Sequence, residues 1–283
     1  MRIVTAAQMK QIEAAADRAG VSYRQMMENA GAAAWQLLLR SWPDAHSLEV
    51  VAGKGNNGGD GFVLARHAAR AGWDVTVVLA EGDPATEDAR YNFGLLSTLP
   101  VKVTALDEAP SPTARVMVDA LYGTGFHGSL RPNGLAACRR MQQSGAPVLA
   151  LDLPSGLQAN TGLAAEGALR ATLTVAFDSA KPVHCAAVAV PYCGRVEIAD
   201  IGIPDCCHPA GLALYTVADL LEPEFGCEGC PEDREPQARL LLRGESGDLA
   251  ITAPDALLYR QGIDVGSRVL FAPEIGPVRV PSA

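Results

Sequence analysis

Positive charge is in short supply in this chain. Its 23 Lys and Arg stand against 32 Asp and Glu, for a formal net charge of −9, and no basic run interrupts that balance. A chain of this sign repels phosphate backbones, so nucleic acid is not an expected partner. Long apolar runs are missing as well. No segment reaches the ~18 apolar residues of a membrane span. The best stretch, Ala171–Pro191, is broken by Asp178, Lys181 and His184. Met1–Lys10 lacks the apolar core of a secretory signal, and folding signals begin within about five residues. No membrane partner is expected, and a soluble, cytoplasmic location is. Cysteine is sparse and odd in number, seven scattered residues, which argues against a disulfide framework. Cys138, Cys185 and Cys193 read as small apolar fillers.

What the chain does have is enough apolar material, 48% of 283 residues, for one large domain or two modest ones. Its centre is Leu48–Leu64, LEVVAGKGNNGGDGFVL. Leu48–Ala52 reads as a strand and Phe62–Ala71 as a helix. Between them Gly53, Gly55, Gly58, Gly59 and Gly61 alternate with Lys54, Asn56, Asn57 and Asp60. Glycines tolerate positive φ and let a ligand approach the backbone. The following helix offers free N–H groups and its positive dipole end to an anion. The P-loop pattern fails here for want of Lys-Ser/Thr. The dinucleotide pattern GxGxxG fits Gly53–Gly58, with Glu81 and Asp83 placed where a ribose-binding acid would sit. The plainer reading is a Gly-rich connection with no ligand.

Thr5-Ala-Ala-Gln8 and Ser22-Tyr-Arg-Gln25 are capping-box patterns that open two amphipathic helices. Glu28 and Asn29 interrupt an apolar stretch, and holding the neighbouring loop in shape is the favoured reading for them. Further on, strands at Val75–Ala80, Val101–Ala105, Ala114–Ala120, Pro147–Leu151, Ala171–Phe177 and Arg195–Ala199 alternate with helices at Thr86–Leu96 and Leu135–Gln143. Near-continuous apolar strands separated by helices predict a mostly parallel sheet covered on both faces. Ligands bind such sheets outside the carboxyl ends of the strands. The Gly-rich loop, Asp119–Ser129 and Asp152–Gly156 all fall there. Asp152, at the end of a strand, is either a turn former or a general acid–base. Asn57, Asp119 and Ser155 all offer oxygen, which suits either a hard cation or a hydrogen-bonded cluster.

MENAG, GKGNNGGDG, DALYGTG, DLPSG and GRVEIADIGIP occur in this order between about Met1 and Tyr215. That series resembles the NAD(P)H-hydrate epimerases, the YjeF N-terminal domain family. The resemblance implies a Rossmann-like three-layer sandwich and a site that depends on K+, one per subunit. The implied reaction interconverts the R and S forms of hydrated NAD(P)H (NADHX and NADPHX) at C6. It also implies Asp152 as the catalytic acid–base, and Asn57, Asp119 and Ser155 as potassium ligands. The substrate would meet Asn56, Asn57, Gly58, Gly59, Asp60 and Asp152. A second loop, Gly123, Thr124, Gly125, Phe126, His127, Gly128 and Ser129, would complete the pocket, with His127 a loop contact at most. Lys181 is either a charge facing the substrate or, as favoured, a solvated loop lysine. The chain departs from the family at Gln158 and Asn160, at Thr172, and at Val183, which casts doubt on the geometry near Lys181.

Residues 1–221 are therefore expected to form the epimerase domain. An acidic Pro/Gly-rich linker is expected at 222–237, and a small β-rich tail at 238–283. About 68 residues follow Tyr215, too few for the ADP- or ATP-dependent dehydratase often fused to this family, so a separate dehydratase chain is the expected pathway partner. Cys206, Cys207, Cys227 and Cys230 could hold zinc, though a single CxxC is weak support. The tail is read as dispensable for chemistry; the competing view has it cover the crevice or bridge a homodimer. Two other functions compete with the epimerase: a Rossmann-type NAD(P)-dependent oxidoreductase, and a non-catalytic nucleotide-binding or scaffold module of the same fold.

Overall fold

The computed structural model describes residues 2–221, 235–245 and 247–281. In chain order these form α1 (Ala6–Arg18), α2 (Tyr23–Ser41), β1 (Ser47–Ala52), α3 (Asn56–Arg70), β2 (Asp74–Leu79), α4 (Glu87–Gly94), β3 (Val101–Ala105), β4 (Val116–Ala120), α5 (Pro132–Gln143), β5 (Val148–Leu151), β6 (Leu173–Phe177), α6 (Val190–Cys193) and β7 (Arg195–Ala199). A second group follows: β8 (Ala213–Leu221), β9 (Gln237–Gly244), β10 (Gly247–Pro254), α7 (Asp255–Gln261), β11 (Arg268–Ala272) and β12 (Gly276–Arg279).

The first seven strands make one sheet in the order β3-β2-β1-β4-β5-β6-β7, and every pairing in it is parallel. β1 lies between β2 and β4, so the strand order reverses there and a crevice opens at the carboxyl ends of the two strands. Alternate residues of β1 feed different layers. Val50 joins α1, α2 and α3 in one core, while Val51 joins Ala137, Cys138 and Met141 of α5 in the other. Burying both faces explains why these strands read as unbroken apolar runs. The Thr5 capping box is formed in full; at α2, Ser22 accepts from the Gln25 N–H.

The C-terminal strands form a separate antiparallel sheet, β10-β9-β8-β11-β12. β8 is its central strand, pairing with β9 on one side and β11 on the other. The two sheets divide between β7 and β8, so β8 lies within the 1–221 segment read as one domain yet pairs only in the second sheet among the described residues. The expected 222–237 linker lies almost wholly outside the described residues. The tail is also docked. Ala272, Ile275 and Val278 share a buried cluster with Leu153, Leu157 and Val183 of the first domain. Gln261 Nε2 donates to the Thr161 carbonyl at 2.8 Å, and the Leu212 N–H to that of Ile3 at 2.8 Å.

Candidate functional site

The Gly-rich stretch is mostly helix. α3 starts at Asn56, and none of Gly53, Gly55, Gly58, Gly59 and Gly61 has a positive φ. For all but Gly55, which has open space around it, the role is closeness rather than conformational freedom. A Cβ on Gly58 would lie 2.0 Å from the Gly53 carbonyl oxygen, and one on Gly61 would lie 2.5 Å from Ala120 Cβ. α3 can therefore press directly onto β1 and β4. Its N-cap, Gly55, makes no side-chain capping bond, so the first amides and the positive dipole end face the crevice.

β4 delivers Asp119, fully buried. Its Oδ1 accepts from Ser155 Oγ at 2.7 Å and the Leu121 N–H at 3.1 Å; its Oδ2 accepts from the Ser155 N–H at 2.7 Å. Ser155 Oγ in turn accepts from the Tyr122 N–H at 3.0 Å. Burial pushes the Asp119 carboxyl up to about 6 against these hydrogen bonds. One carboxylate thus ties together the loops that follow β4 and β5. Asn57, also buried, has neither its Oδ1 nor its Nδ2 hydrogen-bonded. An unpartnered buried amide carries a real desolvation cost, on the order of 1–3 kcal/mol.

β5 ends in Asp152, held in the left-handed region at φ 63°. For a residue with a Cβ this costs roughly 1–2 kcal/mol, although Asp tolerates it better than most. The kink is fastened on several sides. The Asp152 N–H donates to the Val175 carbonyl at 2.8 Å. Lys181 Nζ donates to Asp152 Oδ1 at 2.7 Å and to the Phe177 carbonyl at 2.9 Å. His184 Nδ1 accepts from the Lys181 N–H at 2.9 Å, which leaves Nε2 protonated to donate to the Asp152 carbonyl at 2.7 Å. Burial, reinforced by the Lys181 charge, lowers the His184 pKa to about 4, so the ring stays neutral. Lys181 is only 1% exposed, which overturns its reading as a solvated loop lysine.

The crevice above these residues has a volume of about 570 Å³. Asn56, Asn57, Asp60, Gly123, Thr124, Gly125, Phe126, His127, Ser129 and Asp152 line it. Gly58 and Gly59 do not; they pack inward, Gly59 against Met27. Gly128 also lies off the lining, at a turn with φ 77°. Glu81, in the ribose-acid position, is engaged by the Tyr122 hydroxyl at 2.7 Å and faces Arg131 at 3.7 Å. Two carboxyls in the crevice have raised pKa values. Asp60 sits well above the carboxylate range through burial, reinforced by Asp152 and Glu13. Glu13 is pushed up to about 6, again mainly by burial.

Sequence reading missed Glu13. The signal was there: Glu13 follows Met9 by four residues, which places a charge on the buried face of α1.

Glu28 and Asn29 prove to be fasteners. Glu28 pairs with Arg66 and His67 of α3, and Asn29 Nδ2 donates to the Ile201 carbonyl at 2.8 Å. Among the departures from the family, Asn160 Oδ1 accepts from the Ala6 N–H at 2.8 Å at the start of α1, a bond that an acid would also make. Val183 is buried in the cluster shared with the tail. Cys206 and Cys207 are free thiols, and Cys227 and Cys230 lie outside the described residues. Among the described residues no group of three or more His, Cys, Asp or Glu could hold a metal ion, and no helix is long and apolar enough to cross a membrane.

A parallel sheet with its crevice at the strand-order switch, an open helix N-terminus on one side and buried carboxyls on its floor, defines a Rossmann-like ligand-binding domain built for chemistry on a small molecule. The sequence matches the family described as YjeF-related protein N-terminus over residues 23–183, and the chain belongs to that family. It is 37% identical over 202 residues to the NAD(P)H-hydrate epimerase of Pirellula staleyi, covering 68% of this chain and 88% of that one. With the NAD(P)H-hydrate epimerase of Cenarchaeum symbiosum it shares 38% over 212 residues, covering 71% and 95%. The bifunctional NAD(P)H-hydrate repair enzyme Nnr of Pyrobaculum aerophilum is 40% identical over 214 residues, and the chain spans only 42% of its length. Among solved structures, yeast ynu0 (YNL200c) superposes with a TM-score of 0.55 at 24% identity, covering 65% of this chain and 83% of that one, a likeness of fold.

Proposed function

We propose that the crevice epimerises hydrated NAD(P)H, interconverting the R and S forms of NADHX and NADPHX at C6. The observation that carries this reading is the buried Asp152–Lys181 pair at the end of β5, set in a family whose relatives bear the epimerase name. C6 of the hydrate is a hemiaminal carbon. As the hydroxyl takes a proton and leaves as water, the ring nitrogen's lone pair forms a C=N⁺ bond. Water then adds to the other face and releases a proton, and the electron pair returns to nitrogen. Lys181 occupies Asp152 Oδ1, so Oδ2, which lies beside Gly123, is the oxygen that exchanges a proton with substrate. The α3 amides and Lys54 face the substrate's phosphates.

Asn57, Asp119 and Ser155 fit a potassium ion. Each offers a side-chain oxygen, and the buried Asn57 Oδ1 has no hydrogen-bond partner among the described residues, which suits a cation ligand. Bound there, K⁺ would offset the buried Asp119 charge and fix the loops after β4 and β5. A dinucleotide oxidoreductase accounts for less: Glu81 is already committed to Tyr122, and the Asp152–Lys181 pair would have no task. A dehydratase that consumes one epimer is the proposed pathway partner, and a cytoplasmic location is proposed with it. Feeding one purified epimer to the protein and following the other by chromatography tests the reading.

A further inference from the structure

We propose that Glu13 is a second acid–base group of the epimerisation, serving the face of the nicotinamide ring that Asp152 does not reach. This rests on the epimerase reading. The reaction sets the requirement. Hydroxide must be protonated as it leaves one face, and water must be deprotonated as it arrives on the other. A carboxyl fixed on one side of a planar iminium serves only one of these events, so inversion calls for a partner from another wall of the crevice.

Glu13 is such a partner. It lines the crevice from α1, whereas Asp152 enters from the end of β5. It is partly buried, and no hydrogen bond to it lowers its pKa. Its carboxyl is raised to about 6, where both protonation states are populated near neutral pH. Its helix is held in place with unusual care. The Thr5–Gln8 capping box and the Asn160 bond to Ala6 fix the start of α1. The segment before it is tied to the one that carries Lys181, through Val4 N–H to the Ala180 carbonyl at 2.9 Å and Ala180 N–H to the Arg2 carbonyl at 3.0 Å. The approach of Glu13 is thereby coupled to the same loop that fixes Asp152. Asp60, another carboxyl of the crevice, is raised well above the carboxylate range by burial and by Asp152 and Glu13.

The proton balance closes. One carboxyl gives a proton to the departing hydroxyl, the other takes one from the entering water, and the two exchange states with each turnover. The reverse reaction runs the same steps with the roles swapped.

The test uses Glu13→Gln, Glu13→Asp and Asp60→Asn in H₂¹⁸O, with each pure epimer followed by chromatography and mass spectrometry. Wild type should invert both epimers and incorporate ¹⁸O as it does so; failure to invert would remove the epimerase reading itself. Glu13→Gln should lose about 10²–10⁴-fold in inversion rate at nearly unchanged KM. It should still exchange ¹⁸O into one epimer without inverting it, because Asp152 can expel and restore water on its own face. Glu13→Asp, which keeps the carboxyl, should recover part of the rate, and it serves if the Gln variant does not fold. Inversion by Glu13→Gln within about threefold of wild type overturns the proposal. So does a folded Glu13→Gln that exchanges neither epimer, or exchange without inversion in Asp60→Asn instead.

Discussion

Lys181 holds its ammonium 2.7 Å from Asp152 Oδ1 while almost wholly withdrawn from water. Among the described residues neither charge has another partner of opposite sign at this distance, so each depends on the other. Breaking a buried pair from one side typically costs about 3–5 kcal/mol, because the remaining charge is left uncompensated. Lys181→Met should therefore lower the melting temperature markedly. Asp152→Asn/Lys181→Met should be more stable than the sum of the single effects, which a thermal double-mutant cycle measures.

Asp152→Asn keeps a residue that tolerates the left-handed kink, so the fold should persist while turnover falls by about 10²–10⁴-fold. A rate within about threefold of wild type, in a variant with an unchanged circular-dichroism spectrum, would take Asp152 out of the mechanism.

Potassium should raise the melting temperature relative to a choline salt of equal ionic strength. Asp119→Ala should abolish that response. The same rise in the variant would place the ion elsewhere.

The glycines of the first loop separate by what lies around them. Gly58→Ala drives a Cβ to 2.0 Å from a backbone oxygen that cannot turn aside, whereas Gly55→Ala meets nothing within 4 Å. Overpacking costs about 1–3 kcal/mol or more. Gly58→Ala should unfold at clearly lower denaturant than wild type, and Gly55→Ala should match wild type.

The sheet, its strand ends and most of the crevice were legible because buried parallel strands leave unbroken apolar runs, and the polar motifs fall where those runs stop. What sequence reading got wrong lay in tertiary context. Lys181 looks like a loop lysine until the Asp152 kink places a carboxylate against it. Gly58 and Gly61 look like φ-permissive hinges, yet they are close contacts of α3 with the end of β1 and with β4, and only packing shows this. β8 starts at Ala213, shortly after the last family motif ends at Pro204, and nothing local shows that it is the centre of a second sheet.

That second sheet changes what truncation should do. Removing everything after Leu221 strips β8 of both neighbours and uncovers Leu153, Leu157 and Val183, which stand beside Asp152 and Lys181. Loss of solubility or a large fall in melting temperature is expected. Ile275→Ala, a milder probe of the same contact, should cost about 2–5 kcal/mol by chemical denaturation. A truncated chain that melts like wild type would make the tail a bystander.

Glu13 bears on stability as well as rate. Its carboxyl is raised from 4.5 in the unfolded chain to about 6 in the folded one. The folded state therefore binds the proton more tightly, and this group's contribution falls as pH rises from 4.5 through 6. Glu13→Gln should gain stability over wild type at pH 7–8, up to about 2 kcal/mol, and lose the advantage below about pH 4.5. Urea melts at the two pH values measure this difference, and an equal offset at both would show that ionisation of Glu13 is not its source.

Separated epimers of NADHX test inversion at C6 most directly. Each is incubated alone with the protein in potassium buffer and followed by chromatography against a protein-free control. Both starting epimers should converge on one common mixture, faster than the control by a factor that collapses in Asp152→Asn. Two starting epimers that drift no faster with the protein than without it would contradict inversion at C6.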